Sequence, residues 1–167
     1  MRFTGAGWTM TKADDRFSFG GGCHWCTEAV FQHVGGVTDV RQGFIRSVAP
    51  NESWSEAVWV TFDPGACNLA TLIDVHIRTH SAFSDHSMRG KYRSAVYARG
   101  VDAMDDARSA LAAVQATLAE PLVTRVLAFE DFKPSDERFH DYHASGPDRP
   151  FCRTYIVPKL RAAGLKD

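Results

Sequence analysis

Arg16-Phe17-Ser18-Phe19-Gly20-Gly21-Gly22-Cys23-His24-Trp25-Cys26-Thr27-Glu28 is the stretch from which the architecture of this 167-residue chain can be read. Arg16 to Phe19 alternates polar and apolar side chains as a half-buried strand does. Three glycines follow, and from Cys23 the residues Thr27, Val30, Phe31 and Val34 recur at helical spacing until Gly35-Gly36 interrupts them. A strand, a glycine junction and a helix are therefore expected, with Cys23 at the junction. Unpaired backbone N–H groups and the positive end of the helix dipole favour thiolate over thiol there, so Cys23 is the candidate nucleophile.

Working outward, Val37 to Phe44 and Glu56 to Phe62 read as strands. In the second, Val58, Val60 and Phe62 share one face and Ala57, Trp59 and Thr61 the other, which puts Glu56 on the side of Val58. After Asp63-Pro64-Gly65, the residues Leu69, Leu72, Ile73 and Ile77 mark an amphipathic helix, and Tyr92 to Ala98 a further strand. Met104, Ala107, Leu111, Val114 and Leu118 share a face of an Ala-rich helix that Pro121 closes, Leu122 to Phe129 is strand-like, and the chain beyond Glu130 reads as irregular. This order predicts an α+β fold, a ferredoxin-like two-layer sandwich of split βαβ type, with helices on one face of a mainly antiparallel sheet and an irregular C-terminal tail.

The length fits one domain with its own core, so residues 1–15 read as a loose leader and 16–167 as a single catalytic domain, expected to act as a monomer. Nineteen Lys and Arg against 20 Asp and Glu leave no basic footprint for nucleic acid or an anionic membrane. No secretory signal or membrane-spanning run is apparent, and a cytoplasmic location is expected. Four irregularly spaced cysteines in a reducing compartment read as free, catalytic or metal-binding rather than as a disulfide framework. His76 and His80 lie four apart on a helix, but that spacing reads as a solvated face, and the Cys23-His24-Cys26 cluster lacks a second ligand pair. Neither a metal nor any other cofactor is expected. Cys67 reads as a small buried hydrophobe and Trp54 and Trp59 as packing residues.

Four ordered motifs resemble the A-type peptide methionine sulfoxide reductases: Gly22-Cys23-His24-Trp25 with Glu28, Ser55-Glu56-Ala57-Val58 before Phe62-Asp63-Pro64, Lys91-Tyr92-Arg93-Ser94-Ala95-Val96-Tyr97, and Pro150-Phe151-Cys152-Arg153 through Leu160. The resemblance runs from about Phe17 to about Leu160. It implies thiol-dependent reduction of the S-epimer of methionine sulfoxide, with Cys23 as nucleophile, Glu56 as proton donor, Tyr92 as hydrogen-bond donor and Trp25 as a wall against the substrate methyl. It also implies Cys152 as a distal resolving cysteine and thioredoxin, or a similar dithiol, as reductant.

The residues support that chemistry on their own terms. A sulfoxide sulfur is a poor electrophile until its oxygen receives a proton, so a thiolate needs an acid beside it. Glu56 suits that task because strand alternation turns it toward the apolar face, where desolvation favours the protonated carboxyl. Loss of oxygen leaves a cysteine sulfenic acid that a second thiol condenses with. Cys26, one helical turn from Cys23, competes with Cys152 for that step.

The chain departs from the family's pattern at four places. His24 stands where Phe is usual, adding a titratable group beside Cys23, and Gly43-Phe44 stands where Gly-Tyr supplies a hydroxyl. The connection between Phe44 and Glu56 is short, and an acid expected before Tyr92 reads as Ser87, with Asp85 two residues earlier. His24, Trp25 and Phe44 are the expected substrate contacts. These changes bear on which sulfoxide is bound rather than on the reaction. Two other readings remain: a disulfide oxidoreductase using Cys23 and Cys26, and a catalytically silent sulfoxide- or metal-binding protein.

Overall fold

The computed structural model describes residues 13–166. In chain order it contains β1 (Asp14–Gly20), α1 (His24–Gln32), β2 (Val37–Arg46), β3 (Ser55–Phe62), α2 (Leu69–Arg78), β4 (Ala95–Ala98), α3 (Val101–Gln115), β5 (Arg125–Ala128), β6 (Asp131–Pro134), α4 (Tyr142–Ser145) and α5 (Val157–Ala162). Among these residues six strands form one sheet, ordered β5-β4-β1-β3-β2-β6. Only β4 and β5 pair in parallel; the other neighbours are antiparallel. The class is α+β, as the sequence indicates. The leader assigned to residues 1–15 falls almost wholly outside the described residues, and β1 begins at Asp14, two residues before the strand read from the sequence.

One sheet face carries Phe17, Phe19, Val58, Val60, Phe62, Val96 and Ala98, all buried in one apolar cluster with residues of α1, α2 and α3. Complete burial of a phenylalanine such as Phe17 or Phe19 contributes about 1.5–3 kcal/mol, which is why β1 sits at the sheet centre. The opposite face holds a smaller cluster of Ile45, Ala57, Ala95 and Tyr97, with Leu127, Phe129 and Phe132 packed against it.

Three sequence expectations are corrected. The strand expected from Tyr92 begins only at Ala95, because its partner β1 ends at Gly20, opposite Ala95. With no partner strand for 92–94, the Tyr92 N–H donates to the Met88 carbonyl and the Arg93 N–H to Ser55 Oγ. The tail beyond Glu130 is not irregular: β6 pairs with Gly43–Arg46 of β2, and Cys152–Ile156 forms a π-helical turn continuous with α5. Gly43 makes that edge pairing possible, since a Cβ there would lie 2.4 Å from the Lys133 carbonyl oxygen. His76 of α2 and His80, just beyond the helix end, do not form a solvated face. His76 is 2% exposed, and its ring stacks on that of His80 at 4.1 Å between centroids.

Glu28 fastens the tail to α1. Its carboxyl, 1% exposed, accepts the main-chain N–H groups of Asp141 (3.0 Å) and Tyr142 (3.3 Å) and the Gln42 amide (3.2 Å). Burial raises its pKa, opposed by those backbone donors. Replacing Glu28 by Ala strips the acceptor from these donors, at about 1–3 kcal/mol per group left unmet. Urea denaturation of Glu28→Ala should show a loss of roughly 2–4 kcal/mol on that basis, together with faster proteolysis in residues 135–150.

Candidate active site

The site is built on the turn joining β1 to α1. Gly20 and Gly21 are held from behind: His76 Nε2 donates to the Gly20 carbonyl (2.8 Å) and Arg89 Nη1 to the Gly21 carbonyl (3.0 Å). Gly21 has φ +153°, and a Cβ on it would lie 2.5 Å from the His80 ring, so no larger residue fits while that imidazole is in place. His80 bridges the His76 carbonyl and the Ser94 hydroxyl, and Ser94 in turn bonds Thr124. Burial lowers both histidines, His80 to about 4 and His76 well below its ordinary value, so they hold the turn as neutral rings near pH 7.

Cys23 caps α1 with extended backbone (φ −56°, ψ 129°). Its pKa is lowered to about 7, chiefly because the Cys26 thiol donates to it, with the Trp25 and Cys26 N–H groups adding to the effect; burial and the Glu56 charge oppose the shift. Cys26 moves the other way: donating its proton to Cys23, and buried, it stays a thiol. The charge of Cys152 also acts on Cys26. Cys152 itself is fully buried on the π-helical turn, and burial raises its pKa. The thiols therefore run from half-exposed Cys23 through Cys26 toward Cys152, with Cys26 the one in contact with Cys23.

Glu56 closes the corner from β3. Its Oε1 accepts the His24 main-chain N–H (3.1 Å) and lies 3.5 Å from His24 Nε2, while Oε2 lies 3.5 Å from Lys91 Nζ. The carboxyl is 7% exposed, on the helix side of the sheet as strand alternation requires. It is ringed by donors, however, rather than surrounded only by apolar groups. Lys91 is placed there by its own carbonyl, which accepts the Glu56 N–H (2.9 Å) and the Ser55 hydroxyl (2.9 Å). Its pKa is raised by the Tyr92 hydroxyl first and by the Glu56 charge second.

The other candidates fall around this corner. Phe44 lies directly across the ladder from Glu56, its ring edge-on to that of His24 at 5.3 Å. His24 is 8% exposed, and its Nδ1 lies 3.1 Å from the Gly43 carbonyl. Tyr92 is half-buried in the loop before β4, under the Lys91 ammonium. Trp25 stacks on Tyr142 (4.3 Å, 10°), with Phe151 edge-on at 5.5 Å, so the tail packs against this indole. Asp85 does not join the corner: it is exposed, and its charge acts on Arg89. Cys67 is buried, and that burial raises its pKa.

Sequence reasoning missed Lys91, Arg89 and Tyr142. Lys91 and Arg89 belong to or adjoin the quoted third motif, but nothing local says that their side chains turn back onto Glu56 and Gly21. The stack of Tyr142 on Trp25 spans the length of the chain and has no local signature.

The sequence profile of the family described as peptide methionine sulfoxide reductase matches residues 15–166. The chain belongs to that family. With the family comes the reaction, thiol-dependent reduction of methionine sulfoxide, and the class of oxidoreductase. The peptide methionine sulfoxide reductase MsrA of Thermus thermophilus is 30% identical over 157 residues, covering 86% of this chain and 89% of its own. MsrA of Sulfolobus acidocaldarius is 27% identical over 158 residues, covering 86% and 90%. Among solved structures, reduced Mxr1 of Saccharomyces cerevisiae superposes with a TM-score of 0.69 at 19% identity, over 89% of this chain and 93% of its own. Methionine sulfoxide reductase A of Corynebacterium diphtheriae gives 0.64 at 21%, over 80% and 75%. These likenesses establish the fold of the reductase. No helix among the described residues is long and apolar enough to cross a membrane.

The Cys26 contact makes a prediction for this reductase. Alkylation of Cys23 by iodoacetamide should rise through about pH 7 in the wild type. In Cys26→Ala the donor that stabilises the thiolate is gone, so the midpoint should move upward by about one unit or more.

Proposed function

We propose that the chain reduces the S-epimer of methionine sulfoxide, peptide-bound or free, through a Cys23 sulfenic acid, an intramolecular disulfide and recycling by thioredoxin or a similar dithiol. The observation that carries this reading is the corner itself: a Cys23 sulfur titrating at about 7, with Glu56 near enough for its charge to act on that sulfur. In the reaction the thiolate, one proton and the sulfoxide give methionine and Cys23 sulfenic acid. The substrate sulfur is reduced by two electrons and Cys23 is oxidised by two. Glu56 delivers the proton to the departing oxygen, Tyr92 with Lys91 beside it steadies that oxygen, and His24, Phe44 and Trp25 bound the methyl.

For resolution, the thiol contact supports Cys26 as the first partner of the sulfenic acid, with Cys152, whose charge acts on Cys26, as its successor. Condensation of the sulfenic acid with Cys26 releases water and forms the disulfide, which the external dithiol reduces. The yeast Mxr1 structure described as a complex with Trx2, matched at a TM-score of 0.61 and 16% identity, supports a thioredoxin-type reductant. Four free cysteines suit a cytoplasmic repair enzyme, read here as one catalytic domain of residues 16–167 acting as a monomer. The antiparallel order β4-β1-β3-β2, with α1 joining β1 to β2 and α2 joining β3 to β4, supports the ferredoxin-like split βαβ description, to which β5 and β6 add edges.

The Cys23–Cys26 contact also favours one other reading, plain disulfide exchange by this pair. That chemistry has no use for Glu56. In single turnover with one equivalent of each sulfoxide epimer, Glu56→Gln should slow methionine formation by about 100- to 10,000-fold, while disulfide exchange with a small dithiol should not be slowed, since loss of the Glu56 charge favours the Cys23 thiolate. Equal rates for the variant and the wild type would favour the exchange reading. Peptide mapping of the first oxidised product should find Cys23–Cys26 or Cys23–Cys152, with Cys26–Cys152 appearing only later by exchange, and a first product lacking Cys23 would end the proposal.

A further inference from the structure

We propose that the cavity at the leading ends of β4 and β5 is a binding site for a phosphate group, separate from the sulfur chemistry and independent of the reductase reading above. Asp85, Arg89, Arg93, Ser94, Val123 and Arg125 line this cavity, whose volume is about 350 Å³. Arg93 belongs to the third motif of the sequence, and the reaction described above gives it no task.

Three guanidinium groups reach the cavity from three segments: Arg89 from the Ser87–Gly90 turn, Arg93 from the loop before β4 and Arg125 from the start of β5. Their hydrogen bonds all go to neutral oxygens. Arg89 donates to the carbonyls of Gly21, Ser81, Ser84 and Tyr92. Arg93 donates to the Tyr97 hydroxyl, to the hydroxyl and carbonyl of Ser53 and to the Ile45 carbonyl, and Arg125 to the side-chain oxygen of Asn51. Among the described residues none of the three forms an ion pair with a carboxylate. Arg93 is 5% exposed, and a cation held so far from water is unfavourable without a counter-charge. Burial lowers the Arg89 pKa, opposed by the charge of Asp85, itself exposed. Burial raises the Tyr97 pKa, opposed by the charges of Arg93 and Arg125, so both cations act on one hydroxyl.

The surplus of charge selects the ligand. Three arginines against the one carboxylate of Asp85 leave two positive charges, which a phosphate group of about −1.5 to −2 at pH 7 cancels and a single carboxylate does not. Phosphate oxygens also point in several directions, matching donors that converge from three segments, whereas a carboxylate suits one guanidinium fork. Arg125 has the most to offer such a ligand, because only its bond to Asn51, at 3.2 Å, engages it. The volume stands near the lower end of the roughly 300–1,000 Å³ usual for small-molecule sites, so a phosphate leaves room for a small polar body beside Val123. Arg89 also holds the Gly21 carbonyl, so a ligand in the cavity shares a guanidinium with the turn that precedes Cys23.

The test is isothermal titration of the reduced protein with inorganic phosphate and with ribose 5-phosphate, ribose serving as the control. Both phosphates should bind and ribose should not; tighter binding of the ester assigns the site to a phosphorylated small molecule, and equal affinities assign it to the free ion. Arg125→Gln should raise the Kd about 10-fold. Asp85→Asn, which removes the carboxylate from the cavity, should lower it about 2- to 5-fold. Both residues are exposed, so neither change threatens the fold. Silence from both phosphates at millimolar concentration, or a Kd indifferent to Arg125→Gln, would overturn the site. Because no sulfoxide is present, the result stands whether or not the chain proves to be a reductase.

Discussion

One hydrogen bond sets the distances on which the chemistry depends: the His24 main-chain N–H, the first of α1, donates to Glu56 on β3. That N–H is one of the groups a helix start leaves unpaired, and here it is met by the Glu56 carboxyl. The Trp25 and Cys26 N–H groups lower the Cys23 pKa, and the Cys26 N–H also donates to the Cys23 carbonyl (3.1 Å). A single helix end thus positions Cys23 and Glu56 at once, so a shift of α1 relative to the sheet would disturb both together.

That geometry is defended from behind. The glycine turn beneath Cys23 is gripped by His76 and Arg89, and the His76–His80 stack reaches through Ser94 to Thr124. The rings contribute to stability only while neutral. Their folded-state pKa values lie below the unfolded value, so the contribution is complete above about pH 6.5 and is lost as pH falls toward the folded values, about 4 for His80. Glu28 does the same work for the tail, bringing Tyr142 against Trp25.

Much of this was legible in the sequence because it is local. The strand-glycine-helix junction and the outward or inward sense of Glu56 follow from periodicity over a few residues. The strand lengths were not: β4 begins only where β1 can pair with it, a constraint set by Gly20 far away in sequence. The tail resisted for the same reason, since β6 is four residues long and owes its existence to the free edge of β2 and to the absence of a side chain at Gly43. His76 and His80 were misread because spacing alone does not distinguish a wet helix face from one that meets a main-chain carbonyl. The donors around Glu56 come from a main-chain group and from Lys91, and residue type announces neither.

The sheet face opposite the helices carries a consequence of its own. Trp59 lies there beneath the guanidinium groups of Arg41 and Arg99, at 6.0 and 5.0 Å, and Lys133 sits 4.7 Å above Trp54. Cations over aromatic rings let these indoles shed part of their contact with water while the charges keep their hydration. An outer surface finished in this way stays wettable without a second layer of helices. The whole length of the chain is thereby free to build the other side, where the sulfur chemistry is housed.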